Sequence, residues 1–545
     1  MNDRYDVIVV GSGASGLTAA LTAATHGLAV LVLEKAPVLG GTSVVSGGSI
    51  WAPANKYATA AGVQDDADAA LTYLRRLTLG RVDESLLVGF VESVNALVEF
   101  LTLETGLEFT ANMEHPDYQP DLPGARSGGR TLQGGLYDST RLGELRTALR
   151  PTHSTVPVTK LELDAWGMDT LDQWDWALIA DRTRQHVVGM GAALVGELLE
   201  GCIRHGVDIR TSSPARELIE RDGRIVGVVA EGPEGPQQLF ASQGVVLASG
   251  GFEWNEKYVE RFLGVPMVAP GSPPANEGDG LRMAMAVGAA LGNMTEAWWG
   301  PMLDVVGDTY DDKPLHRTTS GIRTQPGSLI VNRRGRRFVN EAMNYNDFTK
   351  AMAHFDPVSY EYENVPCWLI FDARYRASYS VGTLTPDAPK PDWVHEGATV
   401  GELARTLGID EPGLLAQLDR FNESARHGVD PDFHRGESTY DRYRGDKNHL
   451  PHRNLGPLED GPFYAVELRL GCIGTKGGPV VDAHGQVLGA DEQPLAGLYA
   501  CGNVAASVFG PGYPGAGATL GAGMAMGYAI GQVLKRSADQ TAVAG

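Results

Sequence analysis

The sequence predicts an α/β protein, α+β overall, whose nucleotide-binding domain is discontinuous and receives a second α+β domain as an insert. Three observations predict it. An apolar run, "YDVIVV", leads straight into "GSGASG"; a second apolar run, "AVLVLEK", ends in Glu34; and strand-like segments return to the first domain after a long block of different character.

The first run is short and nearly all apolar, as a strand buried on both faces should be. Behind the glycines, Leu17, Ala20, Leu21 and Ala24 recur at helical spacing. Strand, glycine turn, helix and strand thus follow in the order of a Rossmann-like βαβ unit. Gly11 allows the tight turn, Gly13 lets backbone approach a pyrophosphate, and Gly16 permits close helix–strand packing. Ser12, Ala14 and Ser15 fill the rest of the turn. Glu34 stands about 20 residues on, where an acid binds a ribose hydroxyl, and Lys35 follows it.

After Glu34, "APVLGGTSVVSGGSIWAP" brings a second set of small residues where an NAD fold would continue with an ordinary helix. Gly40, Gly41, Thr42, Ser43, Ser46, Gly47 and Gly48 suit a backbone lying along a long, flat cofactor, which points to FAD. Downstream, "GRIVGVVAE" and "GVVLASGGF" read as returning strands, and "PLAGLYACGNVAA" as the last strand and a loop. Gly250, Gly251, Gly502 and Asn503 on these segments, together with Ala215, Ala518 and Leu520, are the further cofactor contacts expected. The FAD-binding domain is therefore assigned to 1–304 and 475–545, and the catalytic domain to 305–474.

At 545 residues the chain is too long for one compact core. A net charge of −22 argues against nucleic acid and anionic membrane surfaces as partners. Cys202, Cys367, Cys472 and Cys501 are widely spaced, without a CxxC pair, so a reduced, cytoplasmic protein without a metal is expected. "MNDRYDVIVVGSG" enters a strand at once, leaving no room for a signal peptide. No stretch reaches the ~18 uninterrupted apolar residues of a membrane span; the glycine-laced tail comes nearest and reads as a buried helix. His115, His153, His186 and His316 show no metal-ligand spacing, and "RRGRR" (333–337) reads as a solvated turn. The stretch 152–186, with Trp166, Trp174 and Trp176, reads as a lid, an oligomer contact or the aromatic core of a helical hairpin.

The segment "GPGYPGAG" (510–517) holds one phenol, Tyr513, between Pro511 and Pro514, with a bare backbone at Gly517 before a helix start. Amides at a helix start point outward and the dipole there favours an anion, so the loop suits an oxyanion. The set "GSGASGLTAA", "GGTSVVSGGSIW", "RGRRFVNEAMNY", "LYACGN" and "YPGAGATLG" resembles the flavoproteins of the succinate dehydrogenase and fumarate reductase family. Within it, the chain looks most like the 3-ketosteroid Δ1-dehydrogenases, over essentially its whole length.

That resemblance implies an FAD domain with an inserted catalytic domain and an active site between them. It implies removal of two hydrogens from the carbon pair beside a ring ketone, with the electrons passed on to a separate acceptor. The substrate is a steroid or a smaller ring such as a cyclohexanone. Tyr513 and Gly517 then hold the ketone oxygen, Tyr345 is the base, and Tyr118 is its hydrogen-bonding partner. The base phenol needs hydrogen bonds or positive potential to ionise. Asp117 reads as a turn residue, and Trp298 and Trp299 as pocket wall or core. The tail lacks the reductases' late His–Arg motif, has Asn503 where they place Glu, and has Thr42 and Ser43 where covalently flavinylated members place His. Non-covalent FAD and a substrate other than a dicarboxylate follow. Arg323 near the reductases' proton-delivering arginine keeps a fumarate-type reductase as the alternative.

Overall fold

The protein, seen in a computed structural model, is described for residues 4–152, 156–167, 170–232 and 235–544, so His153 lies outside the described residues. Strand Arg4–Val10 sits between Gly235–Leu247 and Val30–Leu33 and runs parallel to both. Asp208–Arg210 extends the sheet beyond Val30–Leu33, and Pro494–Ala500 joins Gly235–Leu247 in parallel at Val245 and Leu498. Parallel neighbours need a crossover, supplied first by helix Ala14–Thr25. Val7 and Val9 pack on that helix's side of the sheet, while Ile8 and Val10 pack in a separate cluster on the other side. Both faces are covered, which is why the strand reads as continuous apolar sequence.

A second sheet runs Lys313–Thr318, Ala297–Tyr310, Phe463–Thr475, Cys367–Phe371, Ser328–Asn332 with antiparallel neighbours. It takes in chain from before residue 305, because Ala297–Tyr310 and Ala269–Pro270 both pair with Phe463–Thr475. Trp298 and Trp299 lie buried on this strand, in core rather than on a cavity wall. The basic turn is only partly solvated. Arg333, Arg334 and Arg336 are exposed, but Arg337 is buried and pairs with Glu341 and Asp430, each at 2.7 Å. A charge so deep is tolerated because both partners are there to satisfy it. The described helix long and apolar enough to cross a membrane is Glu84–Thr105, not the tail, and Leu87, Phe90, Val94, Leu97 and Leu101 on it are core residues.

The tail helix Ala518–Ala544 lies against helix Ala14–Thr25 along a glycine seam. A Cβ at Gly523 would stand 2.2 Å from Ser15 Oγ, at Gly527 2.4 Å from Ser15 O, and at Gly531 2.5 Å from Thr22 Cβ. Spacing of four keeps the three on one face. Gly527→Ala should therefore destabilise the protein by about 1–3 kcal/mol, read as a lower midpoint of chemical unfolding; an unchanged midpoint would show the seam to be loose.

Candidate active site

A cavity of about 610 Å³ runs between the glycine turn and the tail loop. Gly11, Ser12, Gly13, Ala14, Ser15, Glu34, Lys35, Gly41, Thr42, Ser43, Ser46, Gly47, Gly48, Ala215, Gly250, Gly502, Asn503 and Leu520 all line it. The protein itself does not demand glycine at two of these positions: a Cβ at Gly13 would meet only Ser43 Oγ at 3.5 Å, and at Gly47 nothing within 4 Å. The bare backbone there serves whatever enters the cavity. Gly13 caps helix Ala14–Thr25 without a side chain, leaving a helix N-terminus suited to a pyrophosphate. Glu34 Oε2 accepts from the Ser12 hydroxyl at 2.6 Å and amide at 3.1 Å, and Oε1 from the Ala36 amide at 2.9 Å. The carboxylate is fixed on the wall with lone pairs left for a ribose hydroxyl. These groups fit FAD.

Four expected contacts are not on the wall. Gly16 is packed under the turn, where a Cβ would stand 2.3 Å from Gly11 O. Gly40 makes the left-handed turn (φ 101°) and donates its amide to Ser12 Oγ at 2.9 Å. Gly251 is closed in by Glu253 and Thr475, and Ala518 is buried in the helix start. On the wall itself, Lys35 is engaged by Glu277 (2.8 Å) and Asp279 (2.7 Å), and Asn503 accepts from Trp298 Nε1 at 3.0 Å. Thr42 takes a hydrogen bond from Asn276 at 2.9 Å, a wall residue the sequence did not suggest.

Tyr118, Tyr345, Tyr513 and Gly517 line the cavity together. The Tyr118 hydroxyl donates to Tyr345 at 3.1 Å, Tyr345 donates to Tyr513 at 3.0 Å, and Thr519 donates to Tyr513 at 3.1 Å. Tyr513 thus accepts twice, and its own proton is free to point at a ligand. Tyr345 opens helix Tyr345–Met352, whose N-cap Asn344 accepts the Asp347 amide and donates to Tyr118 O at 3.1 Å. One amide side chain therefore both starts the helix and ties it to the Tyr118 loop. Gly517 has φ 90°, and a Cβ would stand 2.6 Å from the Ser49 carbonyl. Only glycine fits.

Burial raises all three phenols above their ordinary 10, Tyr118 and Tyr345 well above it, and at Tyr345 the neighbouring phenols add to the effect. Of the supports expected for an ionised Tyr345, the hydrogen bond from Tyr118 is present, and the described groups acting on it are phenols rather than cations. Asp117, read as a turn residue, is a buried anchor for the same loop. It accepts from Trp51 Nε1 and Arg130 Nη1 at 2.8 Å and from the Arg126 amide at 2.9 Å, and burial lifts its carboxyl to about 6.

Several wall or supporting residues carried no signal in the sequence. Tyr440 meets Tyr118 edge to face at 5.2 Å, and Tyr73 donates to Pro514 O at 2.8 Å. His115, on the wall, is pushed down to about 3 by burial and by Arg444 and Lys160. The tryptophan-rich stretch contributes Lys160, Leu163, Leu171 and Trp174 to the wall. Arg323 does not reach the cavity. It is fully buried over the Phe348 ring, donates to Glu341 O, and is lowered to about 10 by burial.

Residues 6–520 match the family described as "FAD binding domain". The chain is 43% identical to the "4-oxocyclohexanecarboxylate 2-dehydrogenase" of Sinomonas cyclohexanicum, over 97% of this chain and 92% of that one. It is 37% identical to the "3-oxosteroid 1-dehydrogenase" of Mycobacterium tuberculosis (strain ATCC 25618 / H37Rv), over 96% and 97% of the two chains. The crystal structure of the 3-ketosteroid delta1-dehydrogenase from Sterolibacterium denitrificans in complex with 1,4-androstadiene-3,17-dione superposes with a TM-score of 0.92 at 35% identity, covering 98% of this chain and 100% of that one. With a cradle that fits FAD and relatives of full length, the chain belongs to the FAD-binding family and is an FAD-dependent dehydrogenase related to the 3-oxosteroid 1-dehydrogenases.

Proposed function

We propose that this protein desaturates a 3-ketosteroid, introducing a C1–C2 double bond beside the ketone. The observation that carries the reading is the phenol chain from Tyr118 through Tyr345 to Tyr513, with Gly517 beside it on one wall. Tyr513 and the Gly517 amide donate to the ketone oxygen as it gains negative charge; such preorganised donors are worth about 2.7–4 kcal/mol each where best measured. Tyr345 takes the proton from the neighbouring carbon, and Tyr118 supports the phenolate that does so. Bound FAD, held without a covalent link, supplies the hydride acceptor. Burial keeps Tyr345 protonated at rest, so the rate rises with pH as the phenol ionises. The apolar side chains Leu163, Leu171, Trp174, Pro301, Leu315 and Ile322 offer a ring system its wall. A fumarate-type reductase finds no support, since Arg323 is turned into core.

A second reading keeps this chemistry and changes the ring to a cyclohexanone that carries a carboxylate. Its support on the wall is the cations Arg150, Lys160, Arg317 and Arg444, although the first three pair with Asp311, Asp164 and Asp308 behind it; the acidic lining residues, Glu34 and Asp279, stand with the cofactor contacts. The identity to the 4-oxocyclohexanecarboxylate enzyme points the same way. Reduction of bound flavin by androstenedione, cyclohexanone, 4-oxocyclohexanecarboxylate and succinate separates the cases. Fast bleaching by androstenedione alone supports the steroid, a preference for the carboxylated ring over cyclohexanone supports the second reading, and bleaching by succinate alone sinks both.

The protein should purify yellow, and acid precipitation should leave its FAD in the supernatant; flavin retained on the denatured chain would contradict non-covalent binding. Rapid-mixing flavin reduction should order the tyrosines. Tyr513→Phe removes one oxyanion donor and should slow reduction by about 10²–10³-fold, with flavin binding little changed. Tyr345→Phe removes the proton acceptor and should nearly stop it. Tyr118→Phe should cost least and shift the pH–rate profile upward, because the Tyr345 phenolate loses a donor. Near wild-type reduction in Tyr345→Phe would make this mechanism wrong.

A further inference from the structure

The loop that carries Tyr513 is held by its carbonyl oxygens. Lys476 Nζ donates to Gly510 O at 3.2 Å and to Gly512 O at 2.5 Å. Lys350 Nζ donates to Pro511 O at 2.7 Å, and Pro514 O takes the Tyr73 hydroxyl at 2.8 Å and the Tyr118 amide at 2.9 Å. Lys476 is the deeper of the two lysines. It is fully buried just past strand Phe463–Thr475, with Nζ 4.3 Å from the Trp298 ring centroid and 5.9 Å from that of Tyr513. Trp298 in turn meets the Tyr513 ring edge to face at 4.6 Å.

A buried charge that only filled space would be no better than an apolar side chain of similar volume, and often worse. Here the ammonium donates to two backbone oxygens, three and one residues before the phenol. The nearby carboxylate Glu296 is itself paired with Lys350 at 3.0 Å. The loop is otherwise glycine and proline, without side chains to fix it from within.

We propose that Lys476 is a positioning residue for Tyr513: its ammonium grips the Gly510 and Gly512 carbonyls and, with Trp298, fixes the phenol where it meets the ketone oxygen. The proposal rests on the reading of Tyr513 as the donor to that oxygen. It gives the enzyme a second titration. Burial pushes Lys476 from its ordinary 10.5 down to about 7, aided by Lys350 on helix Tyr345–Met352 and opposed by Glu296 ahead of strand Ala297–Tyr310 and Asp347 on that helix. The ammonium is present below that pH and lost as pH rises through it. Tyr345 works in the opposite sense, because ionisation of its phenol increases with pH. The neutral amine keeps two N–H donors but loses the charge that strengthens both bonds, so the wild-type rate of flavin reduction is expected to climb less steeply with pH above about 7.

The test is rapid-mixing reduction of the FAD-loaded protein by its ring ketone, from about pH 6 to about pH 9, for wild type, Lys476→Met and Tyr513→Phe. Lys476→Met should slow reduction by up to about 10²-fold, the cost of a misplacement near 1 Å, with the half-saturating ketone concentration little changed, and its profile should climb without the break. A Lys476→Met protein with the wild-type rate and the wild-type break overturns the proposal. An unimpaired Tyr513→Phe instead overturns the reading of Tyr513, and the proposal with it. If Lys476→Met fails to fold or to hold flavin, Lys350→Met decides. Removing the like charge lifts Lys476, so the break must move to higher pH; an unmoved break overturns the proposal.

Discussion

The hydroxyls of Tyr118, Tyr345 and Tyr513 are joined in succession, each about one hydrogen bond from the next, and much of the surrounding structure holds them there. They come from a loop, a helix start and the tail, with partners 227 and 168 residues apart in the chain. Closing such separations costs conformational entropy that the hydrogen bonds themselves cannot repay. The anchors repay it. Asp117 is fixed by Trp51, Arg126 and Arg130, Asn344 spans from one tyrosine segment to another, and buried donors hold the tail loop. The oxygens are placed by side chains and backbone that never meet a ligand.

The same burial that fixes the phenols makes them reluctant to ionise. A buried phenolate lacks water, so the neutral form is favoured at each of the three positions. At Tyr345 the neighbouring hydroxyls are Tyr118, which donates to it, and Tyr513, which accepts from it. Thr519 already feeds Tyr513 from behind. The line is a set of rotatable hydroxyls rather than a set of charges, which suits a reaction in which charge appears and disappears on a ring oxygen.

The part of the fold written in local pattern was legible from the chain. "YDVIVV", "GSGASG" and "AVLVLEK" each follow from burial on two faces or from a turn that only glycine makes, and the strands and helix fall where those rules put them. Tyr513 stood out by its glycine and proline loop before a helix start, but Tyr118 and Tyr345 were singled out only through the family resemblance, since a lone phenol has no period to betray it. Lys476, Asn276 and Tyr440 were invisible for a related reason: each acts across a long separation and sits in an unremarkable local sequence. Arg337 shows the opposite failure. A run of arginines looks solvated, but Glu341 four residues later and Asp430 much further on draw one of them inside. The second sheet likewise takes in chain from before residue 305, because its strand pairing joins Ala297–Tyr310 to Phe463–Thr475 across a long separation.

The glycine seam between helix Ala14–Thr25 and the tail helix does more than join two rods. One rod begins at the turn suited to the cofactor's pyrophosphate, and the other begins at the amide of Gly517. With Gly523, Gly527 and Gly531 leaving no side chain on the tail helix's side of the seam, Ser15 and Thr22 pack directly on its backbone and hold the two in register. The pair acts as a gauge block. It sets the distance between the two helix starts, while Lys160, Leu163, Leu171 and Trp174 reach the cavity from a separate segment that can vary without disturbing that spacing.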